Sequence, residues 1–223
     1  MTPDRVILLR KSTMGGDMTK VAVFDADGTL FDTEKITVLN LRRTGEALNI
    51  KTKTEDELVG ILSRATSEGI AEGIGIPAEQ RMMVIRTFFK ISMESPDDLS
   101  QPYPGIRELL GRLRSEGYLL AVASLKIQPL LERLIRNFGM EFDSVHGVTG
   151  ESDTKAGLIR ACLQDLGASA GDAVMIGDTE NDRKASEEVG TAFIPVSYGF
   201  GFKGEEGVAD ASAVEAEVRR ILG

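Results

Sequence analysis

Asp25 and Asp27 stand two residues apart in the run Val21-Ala22-Val23-Phe24-Asp25-Ala26-Asp27-Gly28-Thr29-Leu30-Phe31-Asp32-Thr33. Four apolar residues, rich in branched side chains, read as a buried strand that ends abruptly in a carboxylate. In a parallel sheet the carboxyl ends of strands open onto the crevice where ligands bind. This strand therefore delivers two acids, side by side, to such a crevice. Like charges that close are costly unless a cation neutralises them or one is protonated. The plainer reading, a strand-end turn with solvated acids, is outweighed by Gly28-Thr29 and by an acidic segment near the other end of the chain.

Other polar residues fall just beyond other apolar runs. Ser124 follows Leu119-Leu120-Ala121-Val122-Ala123, and Lys155 opens a helix after a weaker strand. Asp178 follows Val174-Met175-Ile176-Gly177, with Asp182 one helical turn further on. A crevice that collects Asp25, Asp27, Thr29, Ser124, Lys155, Asp178 and Asp182 suits phosphoryl transfer. Carboxylate oxygens suit Mg²⁺, a lysine suits phosphate, and hydroxyls with backbone amides suit its remaining oxygens. The single histidine, His146, has no triad around it and reads as structural; Cys162, on the apolar side of a helix, reads as core.

The elements that must position these residues alternate in the second half of the chain. Helices are predicted near Ile106–Glu116, Gln128–Phe138, Lys155–Leu166 and Asn181–Val189, and strands over Tyr118–Ala123, around Phe142–His146, over Ala173–Ile176 and over Ala192–Val196. Strands alternating with helices of this length imply a parallel sheet covered on both faces. Between Glu34 and Met93 the pattern is helical only. Ile36, Leu39, Leu41 and Leu48 suit one helix; Leu58, Ile61 and Leu62 suit a second. Pro77 opens a third, with Met82, Met83, Ile85, Phe88 and Phe89 on its buried side, and Gly69, Gly73 and Gly75 mark a turn between helices. The expected fold is α/β: a three-layer, Rossmann-like parallel sheet with an inserted helical cap. Residues 20–32 and 103–223 form the core and residues 33–102 the cap, with hinges near Thr33 and Pro102-Tyr103. Residues 1–19 read as an appendage, and Met18 would serve equally as a start.

Composition bounds the function. The chain has 223 residues, 42% hydrophobic and 27% charged, as in an ordinary globular protein. No apolar run approaches the length of a membrane span, and Val6 to Leu9 is too short for a signal-peptide core. One cysteine allows no internal disulfide, consistent with a reducing cytoplasm. A formal charge of −9 argues against nucleic acid or an anionic membrane as partner. No feature sets an oligomeric state.

The set, in this order, resembles the haloacid dehalogenase-like superfamily of phosphohydrolases. Asp25-Ala26-Asp27-Gly28-Thr29 matches the first motif and Gly177-Asp178-Thr179-Glu180-Asn181-Asp182 the last; Ser124 fits the second and Lys155 the third. Tyr103-Pro104-Gly105 and Val196-Ser197-Tyr198-Gly199 look most like the phosphoglycolate phosphatase-like branch. The resemblance, from about Val21 to Val208, implies a cytoplasmic phosphatase acting on a small phosphorylated metabolite such as phosphoglycolate, a sugar phosphate or a nucleotide. It implies that Asp25 attacks phosphorus and that Asp27 protonates the leaving oxygen, then takes a proton from water. Mg²⁺ would be held by the Asp25 and Asp178 carboxylates and the Asp27 carbonyl, with Asp182 positioning that shell or pairing with Lys155. Gly28, Thr29, Ser124 and Lys155 would bind the phosphoryl group, with Thr29 orienting Asp27 or bracing its loop.

A charge count supports the metal. A phosphate dianion beside ionised Asp25, Asp178 and Asp182 faces one lysine, and each like pair at about 4 Å costs on the order of 4 kcal/mol at an effective dielectric near 20. The chain departs from the family pattern at Ala26, where a bulky apolar residue is usual, at Ala156, where proline is common, and at Leu125, where asparagine is frequent. These bear on the pocket and hence the substrate. A phosphomutase of the same fold is the nearest alternative, separated by release of free phosphate. A phospho-receiver domain is disfavoured by the Asp-x-Asp-Gly-Thr pattern with a helical insertion after it, a dead binding module by the full complement of groups, and a dehalogenase by the acid/base aspartate. The basic residues Arg42, Arg43, Lys51, Lys53, Arg64 and Arg81 read mostly as solvated, one or two of them reaching substrate.

Overall fold

A computed structural model describes residues 19–223, except 65, 74, 98, 151 and 203; the N-terminal appendage, but for its last residue, lies outside the described residues. Strand β1 (Val21–Phe24) is the centre of a five-stranded sheet. Its neighbours are β4 (Leu119–Ile127) and β6 (Ala173–Gly177), flanked by β5 (Ser144–Val148) and β7 (Ala192–Pro195), in the order β5-β4-β1-β6-β7. All four pairings are parallel, with Val21 opposite both Leu119 and Ala173. The sheet's strands read as continuous apolar runs because both faces are covered.

Alternation along the strands sorts the two faces. Ala22, Phe24, Leu120, Val122, Val174 and Ile176 face helices α5 (Ile106–Ser115), α6 (Gln128–Asn137) and α9 (Ala211–Leu222). Val21, Val23, Ala121, Ala123, Ala173 and Met175 face α7 (Lys155–Leu166) and α8 (Glu180–Val189). The result is the expected three-layer α/β sandwich. Cys162 lies buried in the second layer, and His146 is paired with Asp165 at 2.8 Å.

Between β2 (Phe31–Asp32) and β3 (Gln101–Pro102) the chain makes four helices: α1 (Glu34–Ala47), α2 (Glu55–Leu62), α3 (Ser67–Gly73) and α4 (Ala78–Glu94). β2 and β3 pair antiparallel, Phe31 with Pro102 and Asp32 with Gln101, so the insertion leaves and rejoins the core at one place. Two-residue strands carry no periodicity to read. The glycine-marked turn is instead the short helix α3, which contains Gly69 and Gly73.

Several boundaries differ from the sequence reading. Strand β4 continues past Ala123 to Ile127, and its register against β5 shifts there: Ala123 faces His146, yet Ile127 faces Val148. Such a bulge redirects side chains at a sheet's end. β5 lies at Ser144–Val148 rather than Phe142–His146. In α4 the inward residues are Val84, Ile85 and Ser92, whereas Met82 and Met83 are exposed at 37% and 48%. Eight apolar residues among positions 82–93 surround the helix, so spacing alone left its phase open. The terminal helix α9, capped by Asp210 and buried through Val214 and Val218, packs on α5 and was not foreseen.

Candidate active site

Strand ends supply the site. The Asp25 backbone N–H donates to Ile176 O at 2.9 Å, which carries the β1 ladder one residue beyond the strand and fixes Asp25 beside the end of β6. Gly28 turns the chain next, with φ +81°. A Cβ at Gly28 would lie 2.3 Å from Asp178 Oδ2 and one at Gly199 2.2 Å from Gly28 O, so both loops are glycine where they close around Asp178. Asp178 itself is fully buried. It accepts from the Phe200 N–H at 2.7 Å and from Thr29 Oγ1 at 3.3 Å.

Lys155, the first residue of α7, is buried and pairs with two carboxylates: Asp25, and Asp182 Oδ1 at 2.7 Å. Thr154 places it, accepting the Gly157 N–H to cap the helix. Asp182 serves twice. Its Oδ2 accepts from the Thr179 N–H at 3.0 Å and hydroxyl at 2.6 Å, closing a capping box at the start of α8. Its other oxygen holds Lys155.

Burial dominates the electrostatics. It pushes the Asp25 carboxyl up to about 6, with Lys155 opposing and Asp182 and Asp27 adding to the rise. Asp178 is pushed up to about 8, by burial first and then by Asp25 and Asp182. For Lys155, burial works against the charge, but Asp182 and Asp25 outweigh it and hold the ammonium well above an ordinary lysine. Asp25, Asp178 and Asp182 each offer an oxygen within 4.8 Å of one another. Three buried carboxylates against one ammonium form a hard-oxygen donor set that fits a small divalent cation.

Asp25, Asp27, Ser124, Lys126, Lys155 and Asp182 line one cavity, which the insertion closes with residues of all four of its helices. The structure thus brings together most of the sequence-derived set. Asp178, Gly28 and Thr29 are not on the cavity wall; Asp178 lies buried behind it, and Gly28 and Thr29 lie against Asp178. Of the two roles expected for Thr29, orienting Asp27 or bracing its loop, its hydroxyl does not reach Asp27 and instead bonds Asp178, while its carbonyl accepts from Tyr198 Oη at 3.2 Å. The hydroxyl on Asp27 is that of Thr33, at 2.7 Å.

Sequence reading missed four contributors. Lys126 Nζ contacts both Asp27 oxygens, and its side chain reaches the cavity beside Ser124, whose Oγ accepts the Lys126 N–H at 3.2 Å. Thr33 and Phe200 are the other two that touch the acids. Arg133, on α6, grips the return of the insertion: it makes two 2.9 Å bonds to Asp97 and further bonds to the carbonyls of Met93 and Ser95. Lys126 had one available signal, a cation two residues from Ser124. The departures from the family pattern divide as well. Leu125 reaches the cavity, whereas Ala26 is buried in the core and Ala156 within α7. None of the basic residues Arg42, Arg43, Lys51, Lys53, Arg64 and Arg81 lines the cavity; Arg42 faces Glu55 and Arg81 faces Glu72.

Comparison with known proteins shows the family and the fold. The family described as haloacid dehalogenase-like hydrolase matches residues 22–196. Tyrosine-protein kinase PtkA of Mycobacterium tuberculosis is 27% identical, over 96% of this chain and 76% of that protein. A phosphoglycolate phosphatase of Chromobacterium violaceum is 31% identical, over 89% of this chain and 90% of its own length. The crystal structure of a predicted phosphatase from Clostridium acetobutylicum superposes with a TM-score of 0.83 at 22% identity, covering 92% of this chain and all of that one.

Proposed function

Because this chain belongs to the haloacid dehalogenase-like hydrolase family, we propose that it is a Mg²⁺-dependent phosphatase that hydrolyses a small phosphomonoester through an aspartyl-phosphate. The observation that carries this reading is the buried arrangement of Asp25, Lys155, Asp182 and Asp178 at the end of the central strand, with Asp27 beside it on the same cavity.

Each residue has a task with a physical reason. An Asp25 carboxylate oxygen attacks phosphorus as the bond to the leaving oxygen breaks, and Asp27 gives that oxygen a proton. Water then attacks the aspartyl-phosphate and passes its proton to Asp27. The acyl-phosphate bond from the Asp25 oxygen to phosphorus breaks, free phosphate leaves and both carboxyl groups return to their starting states. Lys155 and Ser124 hold the transferring oxygens, and Lys155 stays charged because Asp182 and Asp25 flank it. The Asp25 and Asp178 carboxylates and the Asp27 carbonyl would hold Mg²⁺, with Asp182 anchoring the group from behind. When bound, that ion neutralises the charge gathered by the phosphoryl group and the acids. The four helices between β2 and β3 act as a cap that excludes water and meets the leaving group.

Release of inorganic phosphate from a panel of phosphomonoesters tests this. We expect turnover with Mg²⁺, none in excess chelator, and a loss of at least about 1,000-fold in Asp25→Asn, the order seen when a nucleophile is removed. Transfer to an organic acceptor without free phosphate would point to a mutase instead. Full turnover in chelator, or by the variant, would overturn the mechanism.

A further inference from the structure

The wall opposite the catalytic acids is apolar. Ile36, Leu62, Ile70, Phe88 and Phe89, from all four helices of the insertion, face the cavity, and Phe200 and Leu125 meet them from the core side. The polar residues on that wall are neutral apart from Asp97, whose carboxylate is held by Arg133 and would repel a second anion. Two of them, Asn40 and Ser92, are bonded to each other at 3.3 Å, and Asn40 also accepts from Ser95 at 2.7 Å. Among the described residues the cations lining the cavity are Lys126 and Lys155, and both already face carboxylates. No described arginine or lysine of α1–α4 joins them.

An anionic leaving group would enter a chamber where its charge loses water and gains no cation beyond those engaged with the phosphoryl end. An apolar body would shed its hydration shell against two phenylalanines and three aliphatic side chains, which favours it in proportion to the area covered. Resting on the phosphatase reading above, we propose that the leaving group is an uncharged alcohol with an apolar body of aromatic size, and not a carboxylated one such as glycolate.

The test is a matched pair of alkyl esters, benzyl phosphate and phosphoglycolate, assayed for phosphate release with Mg²⁺. A benzyl rather than phenyl ester is needed, because phenoxide leaves more easily whatever the pocket. We expect kcat/KM to favour benzyl phosphate by about tenfold or more, the discrimination that a few contacts supply in an apolar pocket. Thr37 of α1 also lines the cavity, and Thr37→Lys, which puts a cation on the same wall, is expected to shift the ratio toward phosphoglycolate by a similar factor. Turnover with phosphoglycolate equal or preferred in the natural protein overturns this proposal and leaves the phosphatase reading standing. No release from either ester, or from any other, by the folded Mg²⁺-loaded protein overturns both.

Discussion

Lys126 Nζ sits 2.9 Å from each carboxylate oxygen of Asp27, so the residue proposed as acid and base is gripped symmetrically by a cation from the neighbouring strand. Ser124 and Lys126, two residues apart and so on one face of the strand, both reach the cavity where the register of β4 against β5 shifts. An entering phosphomonoester dianion brings a second and stronger anion to the same wall. Lys126→Met is therefore expected to lower kcat/KM by about 100-fold, the usual effect of removing one preorganised donor from a transferring group. Inhibition by product phosphate should weaken in parallel. An unchanged inhibition constant for phosphate would show that Lys126 does not reach the phosphoryl group.

Thr33 holds the other side of Asp27, through its hydroxyl at 2.7 Å, and is fully buried where the insertion begins. Thr33→Val keeps the shape and removes the donor. A hydrogen bond to a charged group contributes about 1.5–3 kcal/mol net, and we expect kcat to fall at least roughly tenfold with little change in KM, with Thr33→Ser recovering most of it. Equal rates for the valine and serine variants would assign Thr33 to packing alone.

Arg133 ties α6 to the segment that returns from the insertion, with paired bonds to Asp97 and bonds to three backbone carbonyls. Forked arginine–carboxylate contacts are stronger than neutral ones. Arg133→Met should cost roughly 2 kcal/mol, since charged hydrogen bonds contribute about 1.5–3 each and the site keeps partial access to water. In a chain of this size that lowers Tm by roughly 4–8 °C. An unchanged melting curve would mean that the insertion is held by its other contacts.

Metal removal and pH are linked through Asp178. Burial, then Asp25 and Asp182, raise this carboxyl from 3.8 to about 8. A carboxyl raised in the folded state supports folding while protonated: its contribution is complete below the unfolded value and is lost as pH rises through the folded one. Asp25, raised to about 6, acts with the same sign. In chelator, Tm should therefore fall between about pH 5 and pH 8, and the Tm gained on adding Mg²⁺ should grow over that range, because the metal binds the ionised form. A Mg²⁺ gain that is flat with pH would place the ion elsewhere.

The acids and the sheet were legible because their signals are local. Asp25 and Asp178 each end an uninterrupted apolar strand, and Lys155 opens a helix whose limits, Lys155–Leu166, the sequence reading matched. Lys126 and Arg133 are single polar residues whose partners lie far away in sequence, so nothing beside them announces the contact; Thr33 is near Asp27 in the chain, but no spacing rule assigns its hydroxyl to that carboxylate. The outward turn of Met82 and Met83 follows from packing of α4 against α1, which periodicity could not fix in a segment apolar on several sides. Thr29 shows the limit of assigning a role by position: its hydroxyl is near the acids but serves Asp178 and not Asp27.

The position of β1 also has a consequence for synthesis. Among the described strands it is the first made, yet it occupies the middle of the sheet, and Val21 must wait for Leu119 and then Ala173. At ribosomal rates of about 5–20 residues per second, the first of those partners emerges on the order of ten seconds later. Through that interval Val21-Ala22-Val23-Phe24 has no edge to pair with, while the helices of the insertion complete their own local contacts first. A nascent chain of this design presents a sticky hydrophobic tetrapeptide to the cell early, and its yield depends on what shields that segment until β4 arrives.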